Sequence, residues 1–161
     1  MFFPFYSAYT ACPERAEKEY TCPAPGPYKN EWRGFYESDT ESAHISHLVH
    51  SGKKMVPYLC EAIKDKKMFL RRYAIGALGY LKDEKATPVL RQIFENTKEL
   101  DYFRGDALES IYIIDQNMGR AIAIRVLSKK PQKDDSVKMI SDFIVNHPER
   151  ISLNWEMYYG P

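Results

Sequence analysis

The chain repeats itself, and internal periodicity constrains a fold more tightly than any single motif. Residues 70–94 carry Leu70, Arg71, Ala74, Leu78, Leu81, Asp83, Ala86, Val89, Leu90, Ile93 and Phe94. A shift of 33 residues finds Phe103, Arg104, Ala107, Ile111, Ile114, Gln116, Gly119, Ile122, Ala123, Val126 and Leu127 in the same order. A more degenerate copy, shifted back by 31, places Ala43 at the small position and Pro57, Leu59, Ala62 and Ile63 near the second-helix positions. Apolar residues at i, i+3, i+4 and i+7 draw one buried stripe along each helix of a hairpin. Ala74 and Ala107 are small enough to let neighbouring helices approach closely. Lys82 and Asp83 supply a polar turn in which Asp83 caps the helix containing Ala86 and Pro88, and Pro88 is tolerated in a first turn. One hairpin cannot bury its stripe alone, so the units must stack. The fold class predicted is all-α, a short α-solenoid of about three helical hairpins.

Composition divides the rest. At 161 residues a single domain, 1–161, is expected, with a core that needs neither disulfide nor metal. Residues 1–40 hold five of the ten prolines together with Trp32, Phe35 and five tyrosines, which reads as an irregular aromatic N-terminal arm. Its helical pattern is weak and confined to residues 13–20. Such aromatic content predicts packing against the body rather than disorder. Residues 41–130 are the repeats, and 131–161 hold a capping helix over roughly 134–146, stopped near Pro148, and a tail with Trp155, Tyr158 and Tyr159.

The apolar start, from Met1 to Tyr6, lacks a basic region and contains Pro4, so it is not read as a targeting signal. No stretch reaches the ~18 apolar residues of a spanning helix. Cys12 and Cys22 sit before prolines in the arm, where a bridge would fit an oxidising compartment at the cell envelope. Free thiols in a cytoplasmic protein are the reading adopted. Cys60 lies among Val56, Leu59 and Ile63, where a buried inert thiol is expected.

Residues 70–94 resemble the short HEAT-like repeat first recognised in phycobilin lyases: an apolar residue and Arg, then Ala, Leu, an Asp turn, and a second helix with small and Leu positions. Residues 103–127 match that pattern less well and 41–65 poorly, so the resemblance covers rather more than half of the chain. It implies an α-solenoid whose second helices line a concave surface that binds another protein. It is specific for fold and weak for function.

Catalysis finds no constellation. His44, His47 and His50 are spaced so that their side chains fan around a helix, and no residue completes a tetrahedral metal site. The iron-binding helical-repeat hydroxylases that resemble this fold use His-Glu pairs, and the chain has no His-Glu dipeptide. Phosphate loops and nucleophile elbows are absent too. No enzyme, metal or cofactor is therefore predicted. The overall charge of +1 speaks against a nucleic-acid binder, although residues 41–130 carry 16 basic against 11 acidic side chains. Lys64, Lys66, Lys67, Arg71 and Arg72 cluster at one turn and Lys129, Lys130 and Lys133 at another, but Glu95, Glu99 and Asp101 interrupt the strip.

Partner binding remains. Glu61, Gln92 and Arg125 occupy equivalent second-helix positions, as do Cys60, Arg91 and Ile124, and Lys64, Glu95 and Ser128. A ridge running from acidic through neutral to basic would orient a charged partner. Tyr58 and Arg91 are residue types that become hot spots. The expected partner-binding set is Tyr58, Glu61, Arg91, Gln92, Glu95, Arg120 and Arg125. The function read from this is a non-enzymatic protein-binding module, a toxin-neutralising immunity protein or an adaptor, acting as a monomer or in a one-to-one complex. Alternatives are an accessory subunit of a chromophore lyase or a nucleic-acid-binding helical-repeat protein.

Overall fold

The computed structural model describes residues 27–129 and 136–151. Among them are eight α-helices and no strand: α1 (Lys29–Glu37), α2 (Glu41–Val49), α3 (Val56–Ala62), α4 (Arg71–Leu81), α5 (Thr87–Glu95), α6 (Asp101–Ile114), α7 (Gln116–Leu127) and α8 (Ser136–Asn146). Short 3-10 turns at Lys53–Met55 and Glu84–Ala86 lead into α3 and α5. The residues proposed for a Cys12–Cys22 bridge, the helical hint at 13–20 and the aromatic tail lie outside the described residues.

The local chemistry explains most boundaries. Thr40 caps α2 by accepting from Ala43 N–H, and Asp83 caps the turn before α5 by accepting from Lys85 N–H. Pro57 and Pro88 each sit in a first turn, where the missing N–H costs no helical bond. Gly52, at φ 70°, starts the earlier 3-10 turn in a backbone conformation that side chains resist. The matching cap in the later unit is Asp115, which accepts from Met118 N–H at 2.9 Å. Gln116, expected to align with Asp83, is instead the first residue of α7. The turn there is one residue shorter.

Helices α2, α4, α6 and α8 pack in succession, each on the next, with α1 against α2. Helix α3 packs on α4, α5 on α6, and α7 on both α6 and α8. The closest backbone approach of α5 is thus to the helix that follows it, not to α4, its expected hairpin partner. Ala74 and Ala107 are both fully buried, as their size predicted. Between α4 and α6 the approach is closer still: a Cβ on Gly79 would lie 2.8 Å from Ser110 Cα. Ser110 Oγ, also buried, donates to Ile75 O across that seam at 3.0 Å.

The arm was expected to be irregular and to pack on the body. Its residues 29–37 form α1, and Trp32 and Phe35 are completely buried. They join one continuous core with Leu48, Met55, Leu59, Leu78, Leu90, Leu108, Ile111 and Ile144.

Repeated arginines tie successive units. Arg71 Nε donates to Ile63 O at 2.7 Å, at the end of α3, and Arg104 Nε donates to Phe94 O at 2.9 Å, at the end of α5. Each cation thereby meets carbonyls left open by a helix terminus, where the helix dipole favours positive charge. Arg71 goes further. Only 3% exposed, it lies over the Phe103 ring and its guanidinium faces both carboxylate oxygens of Glu99, at 3.1 and 3.2 Å. At the other end, the Asp101 carboxylate of α6 accepts from Ser136 N–H, capping α8 from outside.

Candidate functional site

The expected partner-binding residues are exposed and mostly paired close to home. Tyr58 is 38% exposed and meets the Tyr28 ring edge-on. Glu61 holds Lys64, and Arg91 holds Glu95 at 2.6 Å one turn along α5. Arg125 Nε reaches back to Ala121 O at 3.4 Å, and Arg120 reaches Ile144 O of α8 at 3.5 Å. Gln92 shares a crevice of about 100 Å³ with Lys64 and Lys66. The helices that carry them, α3, α5 and α7, make their main contacts with the other helices rather than with one another.

Of the basic cluster, Lys64, Lys66 and Lys67 are exposed, but Arg71 is buried against Glu99, and Arg72 is bound to Asp106. The histidines diverge. His44 bonds Phe35 O and stacks on Tyr73, while His50 bonds Ser46. His47 fills the space that Gly34 leaves open. Cys60 is half-buried, and burial raises its thiol above the ordinary range, so it stays protonated at neutral pH.

A larger cleft, about 240 Å³, opens on the other side of α4, between α2 and α6. Its walls include Glu41 and Ile45 from α2, Arg72, Tyr73, Gly76 and Tyr80 from α4, and Asp106, Glu109 and Ile113 from α6. Arg72 grips Asp106 with two bonds, Nε to Oδ2 at 2.8 Å and Nη2 to Oδ1 at 3.2 Å. Tyr73 donates its hydroxyl to Glu41 at 2.8 Å. Those bonds account for two of the three carboxylates. Glu109 makes no hydrogen bond or ion pair among the described residues, and burial, aided by the neighbouring Asp106, pushes its carboxyl up to about 7. Tyr73 is pushed up to about 12, by burial first and then by its bond to Glu41.

None of these cleft residues belongs to the expected binding set. A signal was present: Arg72, Gly76 and Tyr80 follow one face of α4, Asp106, Glu109 and Ile113 one face of α6, and the 33-residue shift sets Glu109 against Gly76. That face mixes polar and apolar residues, so hydrophobic periodicity reads it as an ordinary helix edge. Compared with known protein families, curated proteins and solved structures, the chain matches none.

Proposed function

We propose that the protein is a non-catalytic binding scaffold, a short α-solenoid of about three HEAT-like hairpins that captures a partner protein on its second helices. The observation that carries this reading is the outward row on α3, α5 and α7: Tyr58, Glu61, Arg91, Gln92, Glu95, Arg120 and Arg125, with Ile124 left 49% exposed among them. Exposed aromatic and aliphatic side chains set among arginines have the composition of a partner-binding surface. The local ion pairs leave these side chains accessible and are worth little individually, so a partner can exchange them for its own. The burial of Arg71 against Glu99 and the pairing of the exposed Arg72 with Asp106 favour a protein partner over nucleic acid, because both cations of that turn are already neutralised within the molecule. A toxin-neutralising immunity protein or an adaptor is the class of binder that fits.

The test is a triple substitution, Glu61→Ala, Arg91→Ala and Arg125→Ala, in affinity capture from native cells. Loss of the captured protein at unchanged thermal stability supports the second-helix surface. Retention of the same partner moves the interface elsewhere on the molecule.

A further inference from the structure

We propose that the cleft between α2, α4 and α6 is a recognition pocket for an organic cation, the guanidinium or ammonium group of a basic side chain carried by a partner. Three carboxylates line it against one arginine, and that arginine is spent on Asp106 while Glu41 already accepts from Tyr73. Glu109 makes no hydrogen bond or ion pair among the described residues, so its whole acceptor capacity is open. A buried carboxyl without a partner costs stability, and a cation seated on it relieves that cost. An anion would meet the opposite: Glu41 and Glu109 beside the paired Asp106, and an arginine already held by that carboxylate.

Size and lining narrow the occupant. About 240 Å³ falls below the ~300–1,000 Å³ of drug-sized ligand sites, and suits one side chain better than a cofactor. Ile45 and Ile113 offer apolar contact to an aliphatic stem, and Gly76 leaves the floor without a side chain. Tyr73 and Tyr80 put aromatic rings on its walls, and a planar guanidinium packs on an aromatic ring better than an ammonium. The pocket lies away from the second-helix row and stands or falls separately from it.

Proton linkage follows from the same geometry. The titratable and charged groups that line the cleft with Glu109 are Asp106 on its own helix, Arg72, Tyr73 and Tyr80 from α4, and Glu41 from α2, of which Asp106 and Arg72 act on it directly. With Glu109 titrating at about 7, a cation binds the carboxylate form and displaces its proton, so affinity falls about tenfold between pH 8 and pH 6.

The experiment follows the Glu109 carboxyl carbon by NMR in the full chain, with propylguanidinium or the blocked tripeptide Gly-Arg-Gly added, and Gly-Glu-Gly as control. At roughly 10 mM, tenfold above a ~1 mM Kd, both cationic probes should lower the Glu109 midpoint by about one pH unit and the anionic peptide should not. Glu109→Gln should abolish the pH dependence of binding; because the wild-type titration is read directly, a folding defect in that variant leaves the result intact. No shift with either cation overturns the proposal. Tight binding of propylguanidinium with none of the peptide overturns the partner side chain as the source, in favour of a small free amine. The Glu61, Arg91 and Arg125 triple variant should bind the probes like wild type, which separates this pocket from the second-helix surface.

Discussion

Arg71 shows how a charged residue can be structural while reading as surface. In sequence it stands in a basic cluster, and its recurrence as Arg104 suggested only a repeated position. The reason for the recurrence is the carbonyl it reaches at the end of the preceding helix, which no local pattern encodes. The two arginines should differ in cost. Arg71→Met leaves the Glu99 carboxylate, whose side chain is only 6% exposed, without its main partner, and should destabilise by about 3–5 kcal/mol in urea titration. Arg104→Met removes one partly buried bond and should cost about 1 kcal/mol. Replacing Arg71 and Glu99 together by Met should recover most of the loss.

Glu109 poses the reverse case. Its folded carboxyl titrates at about 7 against an ordinary 4.5, so the folded state holds the proton more tightly than the unfolded chain. That contribution to stability is fully present below about 4.5 and disappears as pH rises through 7. Glu109→Gln should therefore flatten the pH dependence of the melting temperature across this window and leave the variant more stable than wild type at pH 8.

At the scale of helices, existence and order were legible from α2 to α8, because the apolar stripes are periodic and polar turns divide them, with side-chain caps at Thr40, Asp83 and Asp115. Three things were not. Helix α1 is masked by Gly34 and by a proline-rich approach, and its burial depends on α2, not on propensity. The spacings of 31 and 33 were both in the sequence, but the place where they part was not: Asp65 and Asn96 make the same side-chain turn, accepting from Lys67 and Lys98, so the 31 spacing persists to the end of α5. The connection after Asn96 is two residues longer, which restores Arg104 to its place. The packing of α5 was not legible either, because sequence order does not say which side of it meets a neighbour, and its main contact is with α6. Two substitutions probe these elements. Asp115→Ala should cost about 1 kcal/mol by uncapping α7. Lys82 ends α4 at φ 49°, so Lys82→Gly should relieve roughly 0.5–1 kcal/mol of backbone strain, reduced by the loss of the lysine's own side-chain interaction, as read in the same denaturation.

For the molecule as a whole, near-neutrality conceals segregation: the net charge is −2 over 1–40, +5 over 41–130 and −2 over 131–161. The proposed binding row comes from homologous positions that repeat in the sequence, whereas the cleft arises between helices and rests on the seam that Gly79 permits. Gly79→Val should cost about 1–3 kcal/mol by overpacking and, by parting α4 from α6, should widen the cleft, seen as weaker propylguanidinium binding at full folding.

The bonds that join neighbouring units have a kinetic consequence. Arg71 to Glu99, Tyr73 to Glu41, Arg72 to Asp106, and Ser110 to Ile75 span 28, 32, 34 and 35 residues, so each closes over about one unit of chain. Loop closure is then cheap at every step, and order can spread from any nucleus to its neighbour without waiting for the termini to meet. Refolding after a denaturant jump should run in milliseconds or faster. A break in the middle, such as Arg71→Met, should split that single relaxation in two.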